Sequence, residues 1–90
     1  MKYHTWNKDK NELLKKERAI SFDDIIYHIE HNHVIEIVEN PNQDKYPGQK
    51  FYVININDYI YLVPFVEDEN HIFLKTIIPS RKATKKYLGG

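Results

Sequence analysis

The fold of this chain is decided by residues 50–78, which read KFYVININDYIYLVPFVEDENHIFLKTII. β-Branched and aromatic residues dominate three runs, and this composition predicts strands over 50–56, 59–67 and 71–78. The polar breaks between the runs are two and three residues long, so consecutive strands must be antiparallel neighbours. Pro64 lies inside the middle run and cannot donate a ladder hydrogen bond, so we expect a bulge or an unpaired position there.

The residues before this stretch predict two helices and two further strands. Alternation over 2–6 and 34–39 is typical of strands, and a loop over 40–49 contains two prolines and a glycine. Asn7 is suited to cap a helix over 8–18. Ser21 is suited to cap a second helix, because apolar residues follow it at the spacing of one helix face and Asp24 stands near the capping-box position. The helical stripe consists of Phe22, Ile25, Ile26 and Ile29, and Asn32 ends it.

Together these elements predict an α+β fold for a single domain over residues 1–90. Two N-terminal helices pack on an antiparallel meander sheet of about four strands, and a short C-terminal helix follows. Ser80 is suited to cap that last helix, and Gly89-Gly90 would form a tail. Along the last strand, alternation places Phe73, Lys75 and Ile77 on one side, and we expect the Lys75 side to remain partly open.

Composition excludes several classes of protein. Of the 90 residues, 41% are hydrophobic and 13% aromatic, which is too apolar for a disordered chain. The absence of cysteine excludes a disulfide scaffold, a thiolate zinc site and a cysteine nucleophile. No apolar run suits a signal peptide or approaches the roughly 20 residues of a membrane span. We therefore expect a soluble cytoplasmic protein without membrane contact.

The formal net charge of zero conceals a block pattern. Residues 1–18 carry six basic and three acidic side chains. Residues 19–44 carry no lysine or arginine and six acidic side chains, and residues 45–90 carry seven basic and four acidic ones. Nucleic acid responds to local potential, so basic termini could form a binding edge on a neutral protein. The alternative is that these charges lie on solvated helix faces.

The histidines offer a weak metal signal. His28, His31 and His33 cluster around the predicted end of the second helix. His28 and His31 share a helix face, but histidine is also favoured by the negative end of a helix dipole, which explains the cluster without a ligand. We therefore expect no metal and no cofactor.

The strongest chemical signal is the start of the last helix, where Ser80 is followed by Arg81 and Lys82. Cations in a first turn oppose the helix dipole, so stability does not explain them. Free N–H groups, a hydroxyl and a guanidinium would instead suit a phosphate. The alternative is that both side chains point into solvent. A second basic run, Lys15-Lys16-Glu17-Arg18, ends the first helix, where cations are expected in any case.

Two stretches of the chain resemble the BrnT family of bacterial toxins. The first runs from Trp6-Asn7 through Lys10-Asn11 to Lys16-Glu17-Arg18-Ala19-Ile20-Ser21-Phe22-Asp23-Asp24, and the second is Ile77-Ile78-Pro79-Ser80-Arg81-Lys82-Ala83-Thr84-Lys85-Lys86. Ala19 stands where the family usually has glycine, Arg18 where it often has histidine, and Pro79-Ser80 replaces the usual Ser-Ala. The resemblance covers nearly the whole chain, and the second stretch is the more specific.

This resemblance implies a RelE-like ribonuclease fold and the role of toxin in a type II toxin–antitoxin pair. It further implies an RNA substrate, inhibition of translation, and a hetero-oligomer with a ribbon-helix-helix antitoxin that an adjacent gene encodes. In such an enzyme the RNA 2′-hydroxyl is the nucleophile, so no metal is required. We then expect the catalytic residues to be Arg81, Lys82 and Lys16, and the RNA-binding residues to be Arg18, Lys15, Lys75 and Lys85. The proton-transfer group stays open between a lysine, His4 and His71.

The rival interpretation is a non-catalytic protein-binding module, in which the chain is a toxin-like partner of a DNA-binding antitoxin with little or no nuclease activity. The acidic block over 19–44 favours this interpretation, because it suits a basic partner better than it suits RNA.

Overall fold

The structure is a computed structural model that describes residues 2–89. Met1 and Gly90, the second of which belongs to the expected tail, lie outside the described residues. The elements are β1 (Tyr3–Trp6), α1 (Lys8–Arg18), α2 (Phe22–Glu30), β2 (Val34–Glu39), β3 (Lys50–Ile56), β4 (Tyr59–Glu67), β5 (His71–Leu74), β6 (Ile78–Pro79) and α3 (Arg81–Leu88). The α+β fold class is confirmed.

The sheet contains the expected meander. Its strand order is β1-β5-β4-β3-β2, and β2, β3, β4 and β5 are successive antiparallel neighbours. β1 lies parallel to β5 at one edge, with Tyr3 opposite His71 and Trp6 opposite Leu74. Chain order alone could not place this strand, because its partner lies more than 60 residues away.

The prediction of one last strand over 71–78 is wrong. β5 ends at Leu74, and the chain resumes pairing with β4 only at β6, where Ile78 lies opposite Leu62. Between the pair Leu74–Phe65 and the pair Ile78–Leu62, three residues (75–77) lie on the β5–β6 segment but only two (63–64) lie on β4. The extra residue makes this irregularity a β-bulge. The irregularity expected at Pro64 is therefore confirmed, and it lies in the strand facing the proline: the Pro64 carbonyl accepts from the Lys75 N–H at 2.8 Å. The bulge also explains why Ile77 lies in the core beside Leu74, contrary to simple alternation.

Local hydrogen bonds begin both N-terminal helices at the expected residues. The Asn7 side chain accepts from the Lys10 N–H, and Ser21 and Asp24 form a reciprocal capping box. Between the helices Ala19 adopts a left-handed conformation with φ of 54°, so the tight turn is retained without glycine. Asn11 is buried, and its Oδ1 accepts from the Phe22 N–H at 2.7 Å, which ties α1 to the start of α2.

The core lies between the sheet and the two N-terminal helices. Leu14 of α1 and Phe22 and Ile25 of α2 pack with strand residues that share one sheet face, namely Tyr52, Ile54, Val63, Phe65 and Leu74. The Trp6 ring stacks on Phe22 with centroids 5.7 Å apart. α3 lies against the opposite face, with Phe51, Val53 and Leu62. Among residues 2–89, no helix combines the length and the apolar character that a membrane span needs.

Candidate nucleic-acid interface

The start of α3 is fixed by a short chain of hydrogen bonds. The Ser80 hydroxyl oxygen accepts from the Ala83 N–H at 3.0 Å, which caps the helix. Thr84 Oγ1 donates to the Ser80 carbonyl at 2.7 Å and accepts from the Ile60 N–H at 2.9 Å. The Ser80 N–H also donates to the Ile60 carbonyl at 2.9 Å. Because these bonds join α3 to the start of β4, the first turn of the helix has a defined position on the sheet.

Arg81 and Lys82 occupy that first turn, which contains no acidic residue. Both side chains are exposed, and neither forms an ion pair within residues 2–89. Lys82 lines a hollow of about 370 Å³ between α3 and strands β2 and β3, whereas Arg81 is not among the residues that line it. The two side chains thus differ: Lys82 lines the hollow, whereas Arg81, its neighbour in sequence, is exposed and does not line it.

A second hollow, of about 470 Å³, adjoins the first. Lys75, Tyr46 of the 40–49 loop and Ile78 of β6 line it, and Phe51 of β3 lines both hollows. We call the two hollows together the Phe51 groove. Lys75 is exposed and its Nζ lies 5.4 Å from the centroid of the Phe73 ring. The expected open surface on the Lys75 side is therefore present, on the sheet face away from α1 and α2.

The groove also contains two residues that the sequence analysis missed. Lys86 and Tyr87 of α3 line the first hollow, whereas Lys85, which was expected to bind RNA, lines neither. The signal for Lys86 was its spacing, because residues four apart on a helix share a face and Lys82 precedes it by four. Tyr87 donates its hydroxyl to Glu36 of β2, which closes this end of the hollow. Glu39 is the acidic residue that lines the first hollow, on its β2 side.

The basic residues of α1 do not join this groove. Lys15 pairs with Glu12 at 3.3 Å, and Lys15, Lys16 and Arg18 line neither hollow. Arg18 instead donates from its guanidinium to the carbonyl of Ile77, in the bulge between β5 and β6. A backbone contact of this kind positions the segment that leads into α3, so Arg18 has a structural role away from the groove, and its expected role in RNA binding stays a prediction.

The two histidines considered for proton transfer lie elsewhere. His4 is half-buried on the helix-covered face, where its Nε2 lies 3.2 Å from the Tyr52 hydroxyl and where burial lowers its pKa. His71 is exposed at the start of β5 and lies 3.5 Å from Asp68. Neither histidine lines the groove.

The remaining histidines form a surface cluster at the end of α2. His28 Nδ1 lies 2.7 Å from His33 Nδ1, while His31 stacks on Tyr27 with ring centroids 4.0 Å apart. Burial, followed by the neighbouring His33, lowers the pKa of His28. In the described part of the chain, no three or more histidine or carboxylate side chains are arranged so that they could hold a metal ion together.

Comparison with known proteins gives no match: no protein-family model, curated protein or solved structure matches the chain. The chemical content of the site is a groove lined by three aromatic residues, three lysines and one glutamate, with an exposed arginine preceding Lys82 in the chain.

Proposed function

We propose that this chain is a BrnT-like toxin of a type II toxin–antitoxin system, an endoribonuclease that acts without a metal in the bacterial cytoplasm and inhibits translation. Its partners would be an RNA substrate and a ribbon-helix-helix antitoxin from an adjacent gene, with which it would form a hetero-oligomer. The resemblance of the two sequence stretches to that family supports the proposal.

The observation that carries the proposal is the Phe51 groove. Lys82 and Lys86 lie on its α3 side, Lys75 lies in the adjoining hollow, and the aromatic residues Phe51 and Tyr46 line the same surface. Lysines beside stacking platforms are the combination that binds single-stranded nucleic acid, because cations follow the phosphates while bases stack on aromatic faces. Arg81 beside the groove offers a planar fork suited to two phosphoryl oxygens.

The reaction that fits this surface is attack by the RNA 2′-hydroxyl on the adjacent phosphorus. The bond from phosphorus to the 2′-oxygen forms, the bond to the 5′-oxygen breaks, and the products are a 2′,3′-cyclic phosphate and a 5′-hydroxyl. The cations stabilise the charge that develops on the phosphoryl oxygens. Since no histidine lines the groove, we assign both proton transfers to its lysines: one, in its neutral form, accepts the proton of the 2′-hydroxyl, and a second, protonated, donates a proton to the leaving 5′-oxygen.

The test uses the purified full chain and an end-labelled single-stranded RNA in the presence of EDTA. We expect fragments that end in a 2′,3′-cyclic phosphate. Arg81→Ala and Lys82→Ala should each slow cleavage by about tenfold or more, because each removes a charge contact to the transition state. Lys8→Ala is the matched control, since Lys8 is an exposed lysine at the opposite end of the chain, in the first turn of α1.

Uncleaved RNA with the intact chain, or equal cleavage by the Arg81, Lys82 and Lys8 variants, would refute the assignment of the groove. In bacteria, induction of the chain alone should arrest growth, and Arg81→Ala should relieve the arrest.

The second candidate is the non-catalytic binding module. The observation that favours it is that two of the three groups considered for proton transfer, His4 and His71, lie away from the groove. The absence of both RNA cleavage and growth arrest would favour this candidate, whether or not the groove binds RNA.

A further inference from the structure

Strand β2 has an open hydrogen-bonding edge. It ends the sheet, and β3 is its strand neighbour within residues 2–89. The Asn40 N–H donates to the Gln49 carbonyl at 2.9 Å, just past the end of the strand. Because pairing alternates along an antiparallel ladder, Val38 and Glu36 bond to β3, and the N–H and C=O groups of Ile37 and Glu39 face outward.

The other strand edges are protected in ways that β2 is not. β1 has four residues and follows Lys2, while β6 has two residues, one of them Pro79. The carbonyl of Ile77, beside β6, is already bonded to Arg18. β2 has six residues and contains no proline, lysine or arginine. Natural proteins usually blunt an exposed edge by short length, proline or lysine, so the β2 edge is suited to pairing.

The β2 edge also exposes apolar side chains. Ile35 and Ile37 are 44% and 52% accessible, although isoleucine is among the residues most often buried. On α2, Tyr27 is 53% accessible. The bulge of this strand lies between Val34 and Glu36, so the register with β3 is continuous from Glu36 to Glu39.

The charge of this region indicates the chemistry of the partner. Residues 19–44 contain six acidic side chains and no lysine or arginine, and Glu36 and Glu39 lie on β2 itself. Pairing of β2 with a second copy would bring four carboxylates together, which is unfavourable across strands. We propose that the β2 edge binds an extended, basic segment of a partner protein as an additional antiparallel strand, with apolar side chains beside Ile37 on one face and lysine or arginine beside Glu36 on the other.

The test uses a fluorescent peptide of about ten residues in which lysine alternates with valine, titrated with the full chain and followed by anisotropy. Two matched peptides accompany it. In one, proline replaces alternate valines and removes backbone donors; in the other, glutamate replaces lysine. We expect the alternating peptide to bind and both matched peptides to bind at least about tenfold more weakly.

Variants of the chain locate the binding surface. Ile37→Lys should weaken peptide binding by about tenfold or more, whereas Leu13→Lys should not change it. Leu13 is the matched control because it is 45% accessible but lies on α1. The circular dichroism spectrum of each variant shows whether it folds. If Ile37→Lys does not fold, the proline-containing peptide still tests whether binding needs the backbone donors of the peptide.

Equal binding of the alternating and proline-containing peptides would overturn the proposal, since charge alone would then suffice. A dimer in sedimentation equilibrium that Ile37→Lys abolishes would also overturn it, because the occupant would then be a second copy. The proposal does not need ribonuclease activity: RNA cleavage and peptide binding are separate readouts, and either can fail while the other persists.

Discussion

The hydrogen bonds of Thr84 make a quantitative prediction about how α3 is held on the sheet. Thr84→Val keeps the shape of the side chain but removes its hydroxyl. The Ile60 N–H, which donates to that hydroxyl at 2.9 Å, then loses its acceptor, and Ile60 is fully buried. A buried donor left without a partner costs about 1–3 kcal/mol.

For a domain of this size, 1 kcal/mol corresponds to a shift in melting temperature of about 4–8 °C. A loss near the middle of the expected range should therefore lower the melting temperature by roughly 10 °C, measured by calorimetry or by circular dichroism. Thr5→Val is the matched control, because Thr5 lies in β1 and its side chain forms no hydrogen bond within residues 2–89.

Thr84→Val should also weaken binding of single-stranded RNA to the proposed groove, because Lys82 and Lys86 lie on the same helix. If Thr84→Val melts at the same temperature as Thr5→Val, the bond to Ile60 does not hold α3, and the position of the groove lysines needs another explanation.

Three further predictions follow from the local structure. Ala19→Gly should raise the free energy of unfolding by about 0.5–1 kcal/mol in urea titrations, because φ of 54° is a conformation that glycine adopts more readily; an unchanged or lower value would contradict a left-handed turn there. Asn11→Ala should lower the free energy of unfolding by about 1–3 kcal/mol, since the Phe22 N–H loses its acceptor. A decrease in that free energy no larger than the decrease caused by an exposed-site variant such as Lys8→Ala would contradict the buried hydrogen bond. The lowered pKa of His28 means that the unfolded chain takes up this proton at higher pH than the folded one, so stability should fall as the pH drops below about 6.5. His33→Gln should reduce this pH dependence, which urea midpoints at several pH values measure. An equal dependence of the midpoint on pH in the original chain and in the variant would show that His33 does not contribute to it.

Local patterns predicted most of the elements because the interactions that define them are local. Ser21 with Asp24, and Ser80 with Ala83, are caps within one helical turn, and strand alternation reports burial on one sheet face. A bulge was expected at Pro64, but its extra residue was not placed, because it lies across the sheet: Pro64 removes a donor on β4, and the extra residue stands in the facing segment, which brings Ile77 into the core. The parallel pairing of β1 with β5 depends on contacts between distant residues and leaves no local pattern.

The candidate site was predictable only in part. The first turn of α3 was identified from residue types that oppose the helix dipole, and its position follows from a cap visible in the sequence. The placement of Lys75 in the adjoining hollow was expected from alternation. The role of Arg18 was different: the family resemblance implied RNA binding, but the end of α1 lies where the Arg18 guanidinium meets the carbonyl of Ile77. That contact depends on how α1 packs against the bulge, which no short motif specifies.

The zero net charge of the chain is a poor guide to what it binds, because basic and acidic side chains are unevenly distributed along it. At physiological ionic strength charges are screened beyond about 8 Å, so a ligand responds to the few side chains near it. Lysines 75, 82 and 86 line the Phe51 groove, whereas strand β2 carries two glutamates and no lysine or arginine. β2 belongs to both surfaces, since Val38 lines the groove and Ile37 presents its backbone to the edge. A strand added at that edge would therefore lie beside the wall of the groove, so the two proposed binding surfaces are adjacent and separated by a single strand.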